Sequence, residues 1–266
     1  MEGIEVMKEL RKKILKNIKK IVIKVGTSVL TDEHGRLDSS KINRIVSQIC
    51  RVKDRGIDVI VVSSGAIGGG MGILGLKARP ASISHKQAAA AIGQIQLMKL
   101  YDDLFKAKGK VIAQVLLTQD DFSDKKRYLN AKNTLATILE YGAVPVINEN
   151  DTIAIDEIKF GDNDKLSALV AELTESQLLV MLSDVDGLWN EKKEVMCMVD
   201  KVTPAVEGHA KGTTREVSTG GMVTKLQAAK MATEKGITCV IANGHIENII
   251  SMILDFENAG TLFLPQ

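Results

Sequence analysis

From Ile21 onward, short runs of nearly unbroken apolar, mostly β-branched residues punctuate the chain: Ile21–Val25, Asp58–Val62, Val111–Leu117, Val144–Ile147, Leu178–Leu182, Cys239–Ala242 and Thr261–Leu264. Runs of this length with little polar alternation predict strands buried on both faces. Between them, Lys41–Lys53, Ser84–Ala107, Asn130–Glu140, Lys165–Leu173 and Thr224–Lys235 carry apolar residues at three-to-four spacing. That alternation predicts an α/β protein with crossover helices on a mainly parallel sheet. Ser39 and Ser40 give the start signal of the first of these helices, and Gly56, Gly109, Gly142 and Gly236 stand where helices should end. Residues 1–20 place Val6, Leu10, Ile14 and Ile18 four apart, which predicts an amphipathic helical extension packed on the domain or at a subunit contact. With no repeat or Pro/Ser-rich linker, residues 21–266 read as a single domain, with room for two lobes.

Composition narrows the function. At 266 residues the chain can bury most of the surface its unfolded form exposes without disulfide or metal staples. A net charge of +2 and an aromatic content of 3% exclude the field and the stacking platform that a nucleic-acid or acidic-membrane partner would use. Cys50, Cys197 and Cys239 are odd in number and far apart, as expected of reduced thiols in a cytoplasmic protein. No apolar run approaches the ~20 residues needed to cross a bilayer, and Glu2, Glu5 and Glu9 argue against an import peptide.

The polar motifs fall at the carboxyl ends of the predicted strands, where open parallel sheets bind ligands. Lys24 interrupts an apolar strand and is followed by Val25-Gly26-Thr27-Ser28, so its ammonium sits where the chain leaves the sheet. A lysine there is costly unless paired, and a phosphate contact is the favoured reading over a lysine reaching to the rim. Ser63-Ser64-Gly65 follows the second strand, Ile147-Asn148-Glu149-Asn150-Asp151 the fourth, and Ser183-Asp184 the fifth. Phe160-Gly161-Asp162-Asn163-Asp164-Lys165-Leu166-Ser167 crowds two carboxylates and an amide into a turn opening an apolar helix, more than a cap requires. Thr219-Gly220-Gly221-Met222-Val223-Thr224-Lys225 reads as a glycine loop running into a helix whose first turn holds a lysine, a natural phosphate cradle. Gly70-Met71-Gly72-Ile73-Leu74-Gly75 matches the dinucleotide glycine pattern only weakly, because it lies well past the strand end. No Walker A sequence occurs, and His34, His85, His209 and His245 lack a partner motif and read as surface or loop residues.

Taken together, Ile21–Ser28, Ser63–Ile67, Ile147–Asp151, Gly161–Asp164 and Thr219–Lys225 closely resemble the glutamate 5-kinases, a family within the amino acid kinase superfamily, over nearly all of Ile21–Leu264. The resemblance implies a three-layer αβα sandwich around an open, mainly parallel eight-stranded sheet. It implies glutamate bound by the N-terminal half and ATP with Mg²⁺ by the C-terminal half, with phosphorylation of the side-chain carboxylate of L-glutamate as the first step of proline biosynthesis. By matching position, Lys24 and Lys225 contact the phosphoryl groups, while Asp164 and Asp162 organise the lysines. Ser64, Asn148, Asp151 and Asn163 bind glutamate. Ser183, Asp184 and the loop Thr219, Gly220, Gly221, Met222, Val223, Thr224 and Lys225 hold ATP. A dimer or tetramer, and feedback inhibition by proline through the loop Ile67–Ser82, are further expectations of the resemblance. Many members carry an additional C-terminal PUA domain, which this chain is expected to lack because it stops just after the Gly260–Leu264 strand.

A carboxylate with a pKa near ~4.3 is ionised at neutral pH, so it needs no general base, in keeping with the scattered histidines. The competing readings are a kinase of another small acid (acetylglutamate, aspartate or carbamate) and a nucleotide-binding protein of the same fold without transfer activity.

Overall fold

A computed structural model describes residues 2–154, 163–210 and 221–266. Eight strands form one sheet: β1 (Lys20–Val25), β2 (Asp58–Ser63), β3 (Ile112–Leu117), β4 (Val144–Glu149), β5 (Leu178–Ser183), β6 (Met198–Val199), β7 (Thr238–Asn243) and β8 (Thr261–Phe263). Their order is β3-β4-β2-β1-β5-β7-β8-β6. The six strands from β3 to β7 are parallel; β8 runs antiparallel to β7, and β6 pairs parallel with β8. All seven strands predicted from the apolar runs are present to within a residue or two. The two-residue β6 is too short to leave a periodic signal.

Among the described residues the helices are α1 (Glu2–Leu15), α2 (Thr27–Leu30), α3 (Ser39–Asp54), α4 (Ala66–Leu74), α5 (Ile83–Lys106), α6 (Asp120–Ser123), α7 (Lys125–Glu140), α8 (Asn163–Leu173), α9 (Pro204–Ala210), α10 (Met222–Thr233) and α11 (Ile249–Leu254). None is long and apolar enough to cross a membrane.

Strand residues alternate between two cores, which makes the sheet the middle of three layers. Ile21, Ile23 and Val25 of β1, with Val59 and Val61 of β2, pack with α3, α5 and α11 residues such as Ile45, Leu97 and Ile253. Val22, Ile60, Met181 and Ile241 pack on the other side with Leu135 of α7, Leu166 and Val170 of α8, and Leu226 of α10. Lys24 shares the parity of Val22, so its side chain leaves the sheet on the α8 and α10 side.

Two expectations are corrected. The first long helix is capped by Asp38, whose carboxylate accepts from the Ser40 and Lys41 backbone N–H groups, and Ser39 and Ser40 lie inside it. Asp is as good a cap as Ser, and the two serines masked it. The segment Ile67–Ser82 is not simply a loop, because Ala66–Leu74 forms α4. Three consecutive glycines argue against a helix on propensity, but here they let α4 and α5 touch: a methyl group at Gly70 would overlap the Ala89 carbonyl, and one at Gly93 the Ala66 carbonyl. The dinucleotide-like glycine run therefore lies within this helix and its cap. The extension is helical over Glu2–Leu15, and the end of its apolar stripe packs on the domain: Ile18 is buried in the core and Ile14 rests against it. Val6 is 67% exposed, whereas Arg11 is fully buried and donates to the Cys197 and Ala259 carbonyls and to Asn258 Oδ1. As predicted, Gly56, Gly109, Gly142 and Gly236 stand just after helices, and each proves to adopt left-handed geometry there.

Candidate active site

The chain places β2, β3 and β4 on one side of β1, then crosses to β5 and β7 on the other. The carboxyl ends of β1 and β5 therefore flank a topological switch point. Gly26 continues β1 there, donating to the Leu182 carbonyl at 2.9 Å, and a Cβ at Gly26 would press to 3.1 Å from that oxygen. A cavity of about 1030 Å³ opens over this edge; Lys24, Ser64, Asn148, Asp151, Asn163, Ser183, Asp184 and Lys225 all line it.

Behind the two lysines that line it lies Asp164, in the first turn of α8 and fully buried. Its Oδ1 is 2.6 Å from Lys24 Nζ and its Oδ2 is 3.2 Å from Lys225 Nζ. Both lysines are 2–4% exposed. The Thr224 hydroxyl lies 2.9 Å from Asp164 Oδ2 and 2.9 Å from the Gly221 carbonyl, tying the first turn of α10 to the same carboxylate. Gly221 caps α10, Met222 and Val223 open it, and Lys225 follows one turn in. One carboxylate thus holds two ammonium groups that arrive from β1 and α10.

Beside this cluster, the ends of β2 and β4 are stitched to α8 and α5 by side-chain amides. Asn163 Nδ2 donates to the Ser63 carbonyl at 2.7 Å and to Asn148 Oδ1 at 2.8 Å, with Ser64 Oγ at 3.3 Å. Asn148 Oδ1 also accepts from the Glu149 N–H at 2.9 Å, and Asn148 Nδ2 donates to Gln94 Oε1 at 2.9 Å. Both lone pairs of the Asn148 carbonyl oxygen are therefore occupied within the protein. Gly65, at φ +100, turns the chain from β2 into α4 directly behind Ser64. Beneath it, Ser63 Oγ meets Tyr101 OH at 2.9 Å. Burial pushes the Tyr101 phenol up to about 12, only partly opposed by that hydrogen bond.

Past β5, Ser183 Oγ donates to Asp184 Oδ1 at 3.1 Å, and past β7 Asn243 Nδ2 donates to Asp186 Oδ1 at 2.8 Å. Asp162, Thr219 and Gly220 fall outside the described residues. Sequence reasoning passed over Gln94 and Tyr101, which sit mid-helix in α5 with no motif to mark them. His245 sits in the turn after β7, a loop position as predicted, and there it lines the cavity. Burial, then the charges of Lys41 and Arg44, lower its pKa against the opposing effect of Asp184, which favours the neutral ring.

Residues 19–243 match the model of the amino acid kinase family, and the chain belongs to that family. Among its relatives, the glutamate 5-kinase of Clostridium acetobutylicum is 49% identical over 262 residues, covering 96% of this chain and 98% of that protein. The glutamate 5-kinase of Caldanaerobacter subterraneus subsp. tengcongensis is 48% identical over 253 residues, 93% of this chain and 68% of that one. The fold is also that of the UMP kinase from Ureaplasma parvum, with a TM-score of 0.62 at 17% identity over 94% of this chain and 97% of that one.

Proposed function

We propose that this chain transfers the γ-phosphoryl group of ATP to the side-chain carboxylate of L-glutamate, giving L-glutamyl 5-phosphate and ADP, the first step of proline biosynthesis. The observation that carries this reading is the pair of buried ammonium groups on Asp164, facing a cavity large enough for a nucleotide and a small acid together. The 49% identity to a glutamate 5-kinase supports glutamate as the acid.

The chemistry is an in-line displacement. A glutamate carboxylate oxygen forms a bond to the γ-phosphorus, the bond to the β–γ bridging oxygen breaks, and ADP leaves with that electron pair. The nucleophile is already ionised, so no proton moves and no base is required. What the protein must supply is position and positive charge, because an anion is brought against a polyanion. Lys24 and Lys225 supply the charge in this reading. Asp164 would repel phosphate, and it serves by holding both ammonium groups. Asp162 is assigned the same supporting role.

Ser64, Asp151 and Asn163 are assigned to glutamate. Asp151 and the Asn163 Oδ1 face its ammonium group, and Asn148 acts by orienting Asn163. Ser183, Asp184 and the segment Thr219–Lys225 are assigned to ATP. Mg²⁺ enters as part of the substrate, neutralising charge on the phosphates. Among the described residues no three His, Cys, Asp or Glu side chains cluster as a resident metal would need, and Asp164 is already taken by two lysines. A cytoplasmic homo-oligomer, inhibited by proline bound at the segment Ile67–Ser82, part of which lines the cavity, completes the proposal.

The test is ADP release with glutamate, N-acetylglutamate or aspartate, with and without proline, and capture of the acyl phosphate by hydroxylamine as a hydroxamate. Hydroxamate formed with glutamate and not with its N-acetyl form supports the proposal. Equal turnover of both acids would remove the ammonium-binding role and, with it, the assignment of glutamate.

A further inference from the structure

The amide chain between β4, α8 and α5 has a fixed polarity. At one end the Ser63 carbonyl can only accept, so Asn163 must turn its Nδ2 toward the protein. At the other, the Glu149 backbone N–H can only donate, so Asn148 must turn its Oδ1 inward, where it also receives Asn163. These backbone groups settle both amide orientations, which density or side-chain shape alone leaves ambiguous. Asn148 Nδ2 is then left pointing at α5, where only an acceptor satisfies it, and Gln94 Oε1 is that acceptor at 2.9 Å. Asn148 is 4% exposed, so losing this partner would strand a buried N–H.

From this geometry we infer that Gln94 is a positioning residue for the substrate pocket: through Asn148 it holds Asn163 with the carbonyl oxygen turned into the cavity, toward the substrate ammonium. The inference rests on the glutamate kinase reading above. Its neighbour in sequence explains how α5 reaches this far. A methyl group at Gly93 would overlap the Ala66 carbonyl, so the missing side chain lets α5 sit against α4 and brings Gln94 to the end of β4. Gln94 acts through Asn148, whereas the two lysines are held by Asp164, so its effect should fall on glutamate binding and spare the transfer machinery.

Two variants and one split of constants test this. Gln94→Met keeps length and removes the acceptor; Gln94→Glu keeps the acceptor in the same place. For Gln94→Met the glutamate KM should rise about tenfold, the size of effect expected for a stranded buried donor, while kcat and the ATP KM change less than about threefold. Gln94→Glu should recover most of that loss. Calorimetric titration of glutamate should show the same order of affinities. An unchanged glutamate KM in Gln94→Met, an ATP KM rising in step, or a Gln94→Glu variant as impaired as Gln94→Met would each overturn the inference while leaving the kinase reading intact. Wild-type protein that neither binds nor turns over glutamate would instead remove the kinase reading, and this inference with it.

Discussion

Replacing Asp164 by asparagine isolates the central electrostatic claim with almost no change in shape. In the native protein its two oxygens face ammonium groups at 2.6 and 3.2 Å. At an effective dielectric of about 20 these separations correspond to roughly 6 and 5 kcal/mol of attraction, most of it offset by the cost of taking the charges out of water. Removing the charged partner leaves that cost uncompensated. Lys24 and Lys225 would remain buried with no anion between them, and the new amide would turn an N–H donor toward one of them. Breaking a buried ion pair in this way destabilises by about 3–5 kcal/mol. For a chain of this size that lowers the Tm by about 6 °C or more. MgATP, a polyanion, should restore part of the loss, so its stabilising shift should be larger in the variant than in wild type. With the lysines displaced, kcat should fall by about 10²-fold or more. Differential scanning fluorimetry with and without MgATP, beside steady-state ADP release, reads all three. A Tm within about 2 °C of wild type and a kcat within about threefold would refute the idea that this carboxylate organises the site.

Lys24→Ala and Lys225→Ala should each lower kcat by about 10²-fold or more while the fold persists, because either variant leaves Asp164 one lysine and the Thr224 hydroxyl; near-normal turnover in both would remove them from phosphoryl transfer. Gly93→Ala should destabilise by about 1–3 kcal/mol or more, read from urea melts, because the added methyl collides with backbone that α4 cannot easily move; an unchanged midpoint would mean the two helices are loosely joined. Tyr101 is raised in the folded state from 10.0 to about 12. Its contribution is therefore complete below the unfolded value and lost as pH rises through the folded one, so stability should fall between about pH 10 and 12. Tyr101→Phe should flatten that part of the pH profile, and an identical slope in the variant would contradict the assignment.

How much of this could be read in advance differs from element to element. The apolar runs located seven strands because a strand covered on both faces admits almost nothing polar, and Lys24 stood out for that reason. The crowded turn at Asn163 and Asp164 stood out because it held more polar groups than a cap uses. By contrast α4 was hidden, since Gly68, Gly69 and Gly70 read locally as loop and make sense only against α5. Gln94 and Tyr101 were hidden for a related reason: each is an ordinary residue in a long helix until the fold lays it beside Asn148 or Ser63.

Burial pattern is a one-dimensional property, and the chain alone determined the alternation of strands and helices and the placing of polar motifs at strand ends. Partnership depends on three dimensions. Only the folded sheet decided that Lys24 and Lys225, far apart in sequence, share one carboxylate, that β8 and β6 reverse direction, and which way each amide turns. The reason is that hydrogen bonds and ion pairs are short-ranged and directional, so their partners are chosen by the packing that brings elements together and not by the spacing of residues along the chain.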